Sequence, residues 1–309
     1  MNRKVTAVVV TFNRLESLKK VLSALQLQTS PLSEIIVVDN RSTDSTADYL
    51  KQLENQGTQN TKYPFQNIYH DKNEGGAGGF FLGMQKAYDR DADLIWVMDD
   101  DCIPTPTALE KLVSAFEVLE TKDGKAPGFV CSNVRWKDGG ICEMNVPTAR
   151  WDWTRHYAPE APYCLAESCS FVSALINARY LPEIGYPVRE FFIWFDDIEF
   201  TMRLAQKHAS YVALDSHVLH ELADNRGVSF SLLSESNLWK YRYGARNEAA
   251  VLAAKPLGFL RVLNLLSRRA KEMRAGKVPL RLQIAIARSA LSGLFFDYPS
   301  KIVFPTARK

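Results

Sequence analysis

No apolar run in this 309-residue chain is long enough to span a bilayer, so membrane-crossing helices drop out of the reading. Cysteine is scarce: Cys102, Cys131, Cys142, Cys164 and Cys169 make an odd number with no CxxC pair. That count argues against disulfides or thiolate-bound zinc and predicts scattered structural thiols in a reducing cytosol. The one glycine cluster does not fit GxGxxG and falls at the third strand–helix junction, not the first, which counts against a nicotinamide dehydrogenase. Internal repeats and low-complexity segments are missing. Met1-Asn2-Arg3-Lys4 leads straight into a strand pattern with no signal peptide, so the expected location is cytoplasmic.

What remains is an ordinary soluble composition, 46% hydrophobic and 24% charged. The net charge of +3 hides an asymmetry. Residues 255–309 carry twelve Lys/Arg against two acids, Glu272 and Asp297, a balance of +10, and residues 1–254 therefore carry −7. An acidic body of this kind argues against nucleic acid as a partner. Within the basic extension, Leu257, Leu260, Leu263 and Leu266 alternate with Arg261, Arg268, Arg269, Lys271 and Arg274. A cationic amphipathic helix can lie on an anionic membrane surface, which would make the protein peripheral on the inner face of the cell membrane. The plainer alternative is a helix packed on the body with its basic face in water.

Hydrophobic patterning predicts an opening β-α-β-α-β-α-β-α. Strands are expected at 5–12, 34–39, 66–70 and 93–98, with helices over 15–28, 44–53, beyond the glycine loop 73–80, and 106–119. Such an alternation argues for a parallel sheet with helices on both faces. After Lys122 the pattern loosens; strands are expected at 128–136 and 211–220, a helix from the paired acids near 196, and further helices broken at Pro256 and Pro279. The expected division is a body of residues 1–254, with halves of about 1–125 and 126–254, and a helical extension of 255–309.

Three aspartates, Asp99, Asp100 and Asp101, directly follow the buried-strand pattern Leu94-Ile95-Trp96-Val97-Met98. At the carboxyl end of a strand in an open α/β sheet they sit where such sheets bind ligands. Carboxylates this close repel, and a divalent cation would neutralise them. Gly75, Gly76, Gly78 and Gly79 lie between a strand and a helix, where backbone amides can face an anion or where tight packing needs no side chain. Asp39 ends the second strand, placed either to accept hydrogen bonds from a nucleotide or to cap a helix. Asp196 and Asp197 follow Trp194-Phe195 at a helix start. One of them can serve as general base, or both can simply favour the helix dipole. His217 and His220 follow the last strand. His220 is a candidate third ligand beside the aspartates, and imidazole with carboxylates suits manganese better than calcium.

Taken in order, VVVTFNR, VVDNRSTDST, NEGGAGGF, WVMDDD, WFDDIEF and the late histidine resemble the family 2 glycosyltransferases of GT-A fold. The likeness is closest to bacterial galactofuranosyltransferases and some rhamnosyltransferases, and it covers roughly residues 4 to 250. It implies an α/β fold of GT-A type: a Rossmann-like, mostly parallel central sheet with helices on both faces, plus the C-terminal helical extension. It also implies an inverting, metal-dependent transfer of a sugar from a nucleoside diphosphate donor to a saccharide or lipid-linked saccharide, in cell-wall or O-antigen assembly. Galactofuranose from a uridine diphosphate donor ranks first and rhamnose from a thymidine diphosphate donor second.

The same resemblance assigns roles. Thr11, Phe12 and Arg14 would line the uridine or diphosphate pocket, and Asp39 would hold the base or ribose. Asn73, Gly75, Gly76 and Gly79 would frame the donor. Asp99, Asp101 and His220 would hold Mn2+ or Mg2+, with Asp100 nearer the donor sugar. Asp197 would be the base, Asp196 would orient it or touch the acceptor, and Trp194 would face the acceptor sugar. Arg246 or Tyr243 would steady the diphosphate. Two other readings share parts of this pattern: a nucleotidyltransferase, and a sugar-nucleotide-binding module without catalysis. The paired acids, which supply a base, favour glycosyl transfer over both.

Overall fold

The apolar, β-branched runs at the front of the chain become adjacent parallel strands, because each is followed by an amphipathic helix that carries the chain back across the sheet. In the computed structural model, which describes residues 3–56 and 61–308, these strands are β1 (Val5–Thr11), β2 (Glu34–Asp39), β3 (Phe65–Tyr69) and β4 (Leu94–Asp99). The connecting helices are α1 (Leu15–Gln26), α2 (Thr46–Gln56) and α3 (Gly75–Asp89). Met1 and Asn2 of the expected amino-terminal lead, and Lys309 of the basic extension, lie outside the described residues.

Next come β5 (Cys102–Pro104), α4 (Ala108–Asp123), β6 (Phe129–Arg135), β7 (Thr148–Ala149), β8 (Tyr163–Ser168) and β9 (Ala174–Asn177). The body ends with α5 (Leu181–Ile184), α6 (Asp196–Lys207) and β10 (Ser210–His220). The sheet order is β3-β2-β1-β4-β9-β6-β10-β8-β7, with β5 beside β10. The parallel expectation therefore holds across β3-β2-β1-β4. In the other half β9 runs antiparallel between β4 and β6, and β5, β7 and β8 also pair antiparallel, while β6 and β10 alone are parallel. From β6 through β7 and β8 to β9 the chain has no α-helix, and a parallel return would need the longer crossover.

Alternation along β4 divides the core. Leu94, Trp96 and Met98 face α1 and α4, while Ile95 and Val97 face α3 and α6. Trp96 is fully buried and its indole N–H donates to Ser173 Oγ at 2.9 Å, so its one polar atom is satisfied. The glycine stretch, expected as a loop, forms the first turns of α3. A Cβ on Gly79 or Gly83 would overlap Val10 or Val8 of β1, so these glycines let the helix lie unusually close to the sheet.

The carboxyl-terminal helices α7 (Leu238–Ala253), α8 (Gly258–Ala275) and α9 (Leu280–Gly293) break at the two expected prolines. They share an apolar cluster that includes Tyr241, Ala245, Val262, Leu265 and Ile286. The expected division at residue 254 falls between α7 and α8, two helices of that one cluster. Beyond α9 the chain returns to the body, where Tyr186 N–H donates to Val303 O at 2.9 Å and the Tyr88 hydroxyl to Thr306 O at 2.9 Å.

Candidate active site

The aspartate triplet turns straight from β4 into β5, whose antiparallel pairing sets Cys102 opposite His220 on β10. That register brings together residues 119 positions apart in sequence: His220 Nε2 lies 3.1 Å from Asp101 Oδ1. Arg14, just before α1, pairs with the other Asp101 oxygen and lies 3.3 Å from Asp100 Oδ1. Asp100 is buried, and its Oδ2 accepts from Thr11 Oγ1 at 2.7 Å and from Phe12 N at 3.3 Å. Thr11, Phe12 and Arg14 thus converge on the triplet itself.

Burial alone would raise the Asp101 carboxyl, but hydrogen bonding and attraction from His220 and Arg14 outweigh it and bring it to about 2. Asp100 goes the other way, to about 6, because burial prevails over Arg14 and Thr11. Asp99 is pushed up by burial and by repulsion from Asp101 and Asp100, with a further contribution from Asp196. Asp99 of the triplet and Asp196 of the second acidic pair are therefore close enough to repel.

Asp101, Cys102 and His220 offer ligand atoms within 4.8 Å of one another; Asp99 is not among them. Asn145 Oδ1 accepts from His220 Nδ1 at 2.7 Å, which directs Nε2 toward Asp101. Burial pushes the Cys102 thiol well up, so no thiolate is offered there. The donor set that remains, a carboxylate and an imidazole nitrogen, fits a borderline divalent ion such as manganese. His217, three residues earlier, pairs with Asn133 along β10 and stands outside this group.

Asp196 and Asp197 begin α6, behind a backbone under strain. Phe192, Trp194 and Phe195 all have positive φ, at 67°, 64° and 72°, which for non-glycine residues costs about 1–3 kcal/mol each. The fully buried Asn247 of α7 holds this turn: its side-chain amide donates to Phe191 O at 2.9 Å, Ile193 O at 3.2 Å and Trp194 O at 2.8 Å. Arg246 Nη2 adds a bond to Glu190 O at 2.8 Å, and its Nε donates to Asn247 Oδ1 at 2.9 Å. Gly75 completes the clamp, since a Cβ there would run into Phe192 O. Burial and repulsion from Asp197 raise the Asp196 carboxyl well above its ordinary range. Asp197 is raised to about 6 by burial, against backbone donors that include Ile198 N at 2.7 Å. Neither forms an ion pair among the described residues.

The other expected residues are more dispersed. Asp39 is buried and accepts from Ser42 N at 2.9 Å within the loop before α2, whose first N–H is met by Asp44 instead. Asn73 Oδ1 accepts from Gly75 N at 2.8 Å, and Gly76 alone of the expected donor-framing glycines leaves open space where a Cβ would point. Trp194 packs between Gly244 and Tyr241, edge-on to the latter at 5.0 Å. Arg246 and Tyr243 line an open groove together with Trp239, Arg242, Phe192 and Lys301. Asn145 and Asn247 went unrecognised in the sequence. Only the register of β10 and the packing of α7 reveal them, although Asn247 directly follows Arg246.

The model of the family described as "Glycosyl transferase family 2" matches residues 6–144. The chain is 30% identical over 233 residues to galactofuranosyltransferase GlfT1 of Mycobacterium tuberculosis, which covers 71% of each protein. In fold it is similar to S. aureus TarS, with a TM-score of 0.54 at 15% identity over 94% of this chain and 89% of that one. It is likewise similar to mannosyltransferase PcManGT from Pyrobaculum calidifontis in complex with GDP-Man and Mn2+, at a TM-score of 0.53, 16% identity, and 96% and 75% coverage. The family motifs, the sheet that carries them and the two neighbouring acidic groups agree: this chain belongs to glycosyl transferase family 2, and its fold is that of the GT-A glycosyltransferases.

Proposed function

We propose that the protein moves a galactofuranosyl residue from a uridine diphosphate donor to a saccharide acceptor, with inversion at the anomeric carbon. The observation that carries this reading is the pair of acids at the start of α6. Asp196 lies near Asp99 of the triplet, and burial raises Asp197 to about 6 without a cation beside it. A base of that strength is ionised at neutral pH yet still basic enough to take a proton. Asp197 would accept the acceptor hydroxyl proton as that oxygen attacks, while Asp196, held neutral, keeps a second negative charge out of the base's surroundings. Arg14 and Thr11 fix Asp100 on the donor side. Asp101 and His220 would hold a divalent cation, Mn2+ or Mg2+, which when bound neutralises charge on the departing nucleoside diphosphate. The donor preference draws support from the 30% identity to a protein named as a galactofuranosyltransferase.

Nucleoside diphosphate release from a panel of sugar donors, with manganese, with magnesium and with chelator, tests the reading. Release from a uridine diphosphate furanose donor, lost in Asp197→Asn, is the expected result. A thymidine diphosphate donor preferred over it would reassign the sugar to rhamnose, and no binding of any sugar nucleotide by calorimetry would overturn the assignment.

The basic extension supports a peripheral place on an anionic membrane. No helix among the described residues is long and apolar enough to cross one. Leu257, Phe259, Leu260 and Leu263 stay exposed at the start of α8, beside exposed Arg261, Arg268, Lys271 and Arg274. Sedimentation with anionic vesicles should fall in Arg261→Glu/Lys271→Glu; unchanged sedimentation would remove the membrane from the reading.

A further inference from the structure

Two open cavities of about 410 and 560 Å³ share Tyr243 and Arg246 in their walls, and their Trp239, Arg242 and Lys301 have no part in the chemistry above. The smaller passes between α7 and α9 along Trp239 and Arg242, and the larger continues over Phe192 to Lys301. The acids of the larger cavity are already paired, Glu74 with Lys72 at 2.8 Å and Glu190 with Arg189 at 3.4 Å. Arg242, Arg246 and Lys301 have no carboxylate partner among the described residues. Instead Arg242 Nε reaches Ser289 Oγ at 3.4 Å, and Lys301 lies over the Phe296 ring at 5.7 Å. The Arg246 guanidinium is held between the rings of Tyr243 at 5.0 Å and Phe296 at 4.4 Å. A half-buried cation without a counter-charge is costly unless an anion arrives to share its site.

The groove is aromatic as well as cationic. Phe192 stacks on Tyr243 with centroids 4.8 Å apart and planes at 18°, and Trp239 meets Phe192 edge-on at 6.3 Å. Trp239 remains 46% exposed, so a flat apolar face is open to solvent where a sugar ring can cover it. Phe192 also belongs to the strained turn that leads to Asp197, so one residue serves both the groove wall and that turn.

We propose that this groove holds the anionic end of the acceptor: a saccharide linked through a phosphodiester or diphosphate, with phosphate oxygens on Arg242, Arg246 and Lys301 and a sugar on Trp239 and Tyr243. It rests on the glycosyl-transfer reading for the word acceptor, though not for the anion. Charge-assisted bonds from guanidinium to phosphate are the strong kind, and three cations suit a doubly charged group. The phosphate can come from a lipid carrier or from a soluble sugar phosphate. Exposed Leu291 of α9 lies between Ser289 and Ser292, and exposed Phe295 comes just past the end of α9, so a lipid chain leaving the groove would meet apolar surface.

Calorimetry on the full chain in chelator, without nucleotide, separates this site from a metal-held donor diphosphate. Inorganic pyrophosphate should bind, and Arg242→Gln/Lys301→Gln should weaken it about tenfold or more, the usual weight of charged hydrogen bonds. Farnesyl diphosphate binding more tightly than pyrophosphate would assign the anion to a lipid carrier; equal affinity would assign it to a soluble sugar phosphate. Absence of pyrophosphate binding in chelator, or binding unchanged in the double variant, would overturn the proposal. Uridine diphosphate binding with manganese, measured on the same samples, checks that the variant is folded and reports on the donor site independently. Its loss in the unaltered protein while pyrophosphate still bound would sink the glycosyl-transfer reading and leave the anion site standing.

Discussion

Asp101 and Asp197 belong to the two acidic groups of the site, and their surroundings drive them in opposite directions. Asp101 has a histidine and an arginine within reach and is brought down to about 2, so it stays charged at any physiological pH. Asp197 is half-buried with no cation to help, and it rises to about 6. Both lose hydration; the presence or absence of a counter-charge decides the sign. A permanently charged carboxylate is suited to hold a cation, and a carboxylate near neutrality is suited to pass a proton. The site therefore divides its labour through partners supplied by different elements: β10 and the residues before α1 for Asp101, and an uncharged turn for Asp197.

The largest effect should come from removing the proton acceptor. Asp197→Asn keeps the shape and should lower turnover about 10²–10⁴-fold, with uridine diphosphate affinity unchanged by calorimetry. Activity retained within a few fold would move the base to Asp196 and dissolve the contrast. On the other side, Asn145→Ala removes the bond that aims His220 Nε2 at Asp101. Manganese affinity, followed by titration, should then weaken about 10–100-fold, as for other outer partners of metal-binding histidines. An unchanged manganese affinity would mean that His220 takes no part in holding the ion.

A smaller effect tests how the second acid is presented. Asn247→Ala removes a donor from three carbonyls of the strained turn, one buried and two part-buried, and should cost about 1–3 kcal/mol in chemical denaturation. If the turn serves to aim Asp197, the variant should lose turnover in excess of donor affinity. Equal losses in both would make Asn247 a packing residue only.

The asymmetry between the two acids also explains what the sequence could disclose. β-branched runs and helical spacing sufficed for β1 to β4 and for α1, α3 and α4, since local periodicity dictates which face is buried. The triplet was legible because three charges directly after an apolar run have few structural explanations. Its neutralisation was only partly legible. His220 was singled out by likeness, while Asn145 and Arg14's ion pairs depend on strand order, which local pattern does not encode. The glycines misled for a physical reason: the same lack of a side chain serves anion binding and close packing, and here Gly79 and Gly83 rest on Val10 and Val8. The run Phe191-Phe192-Ile193-Trp194-Phe195 reads as a strand-like apolar stretch, yet Asn247, more than fifty residues later, bends it through three positive φ values.

The smallest effect is on stability, and it has opposite sign at the two carboxylates. Asp101 titrates lower folded than its ordinary 3.8, so it contributes stability above that pH, which is lost as pH falls toward 2. Asp197 titrates higher folded, at about 6, so its contribution is present below 3.8 and disappears as pH rises through 6. At pH 7.5 the ionised Asp197 is thus a burden that asparagine would relieve. Without added metal, Asp197→Asn should melt roughly 2–4 °C above the unaltered protein at pH 7.5, the shift that about 1 kcal/mol produces in a chain of this size. The gap should close by pH 4, where the native carboxyl is neutral as well. Asp101→Asn should melt lower at pH 7.5 and keep its deficit down to pH 4, because its native counterpart remains charged there. An Asp197→Asn protein that melts below the unaltered one at pH 7.5 would show that some cation does reach this carboxylate, and the two acids would then differ in degree and not in kind.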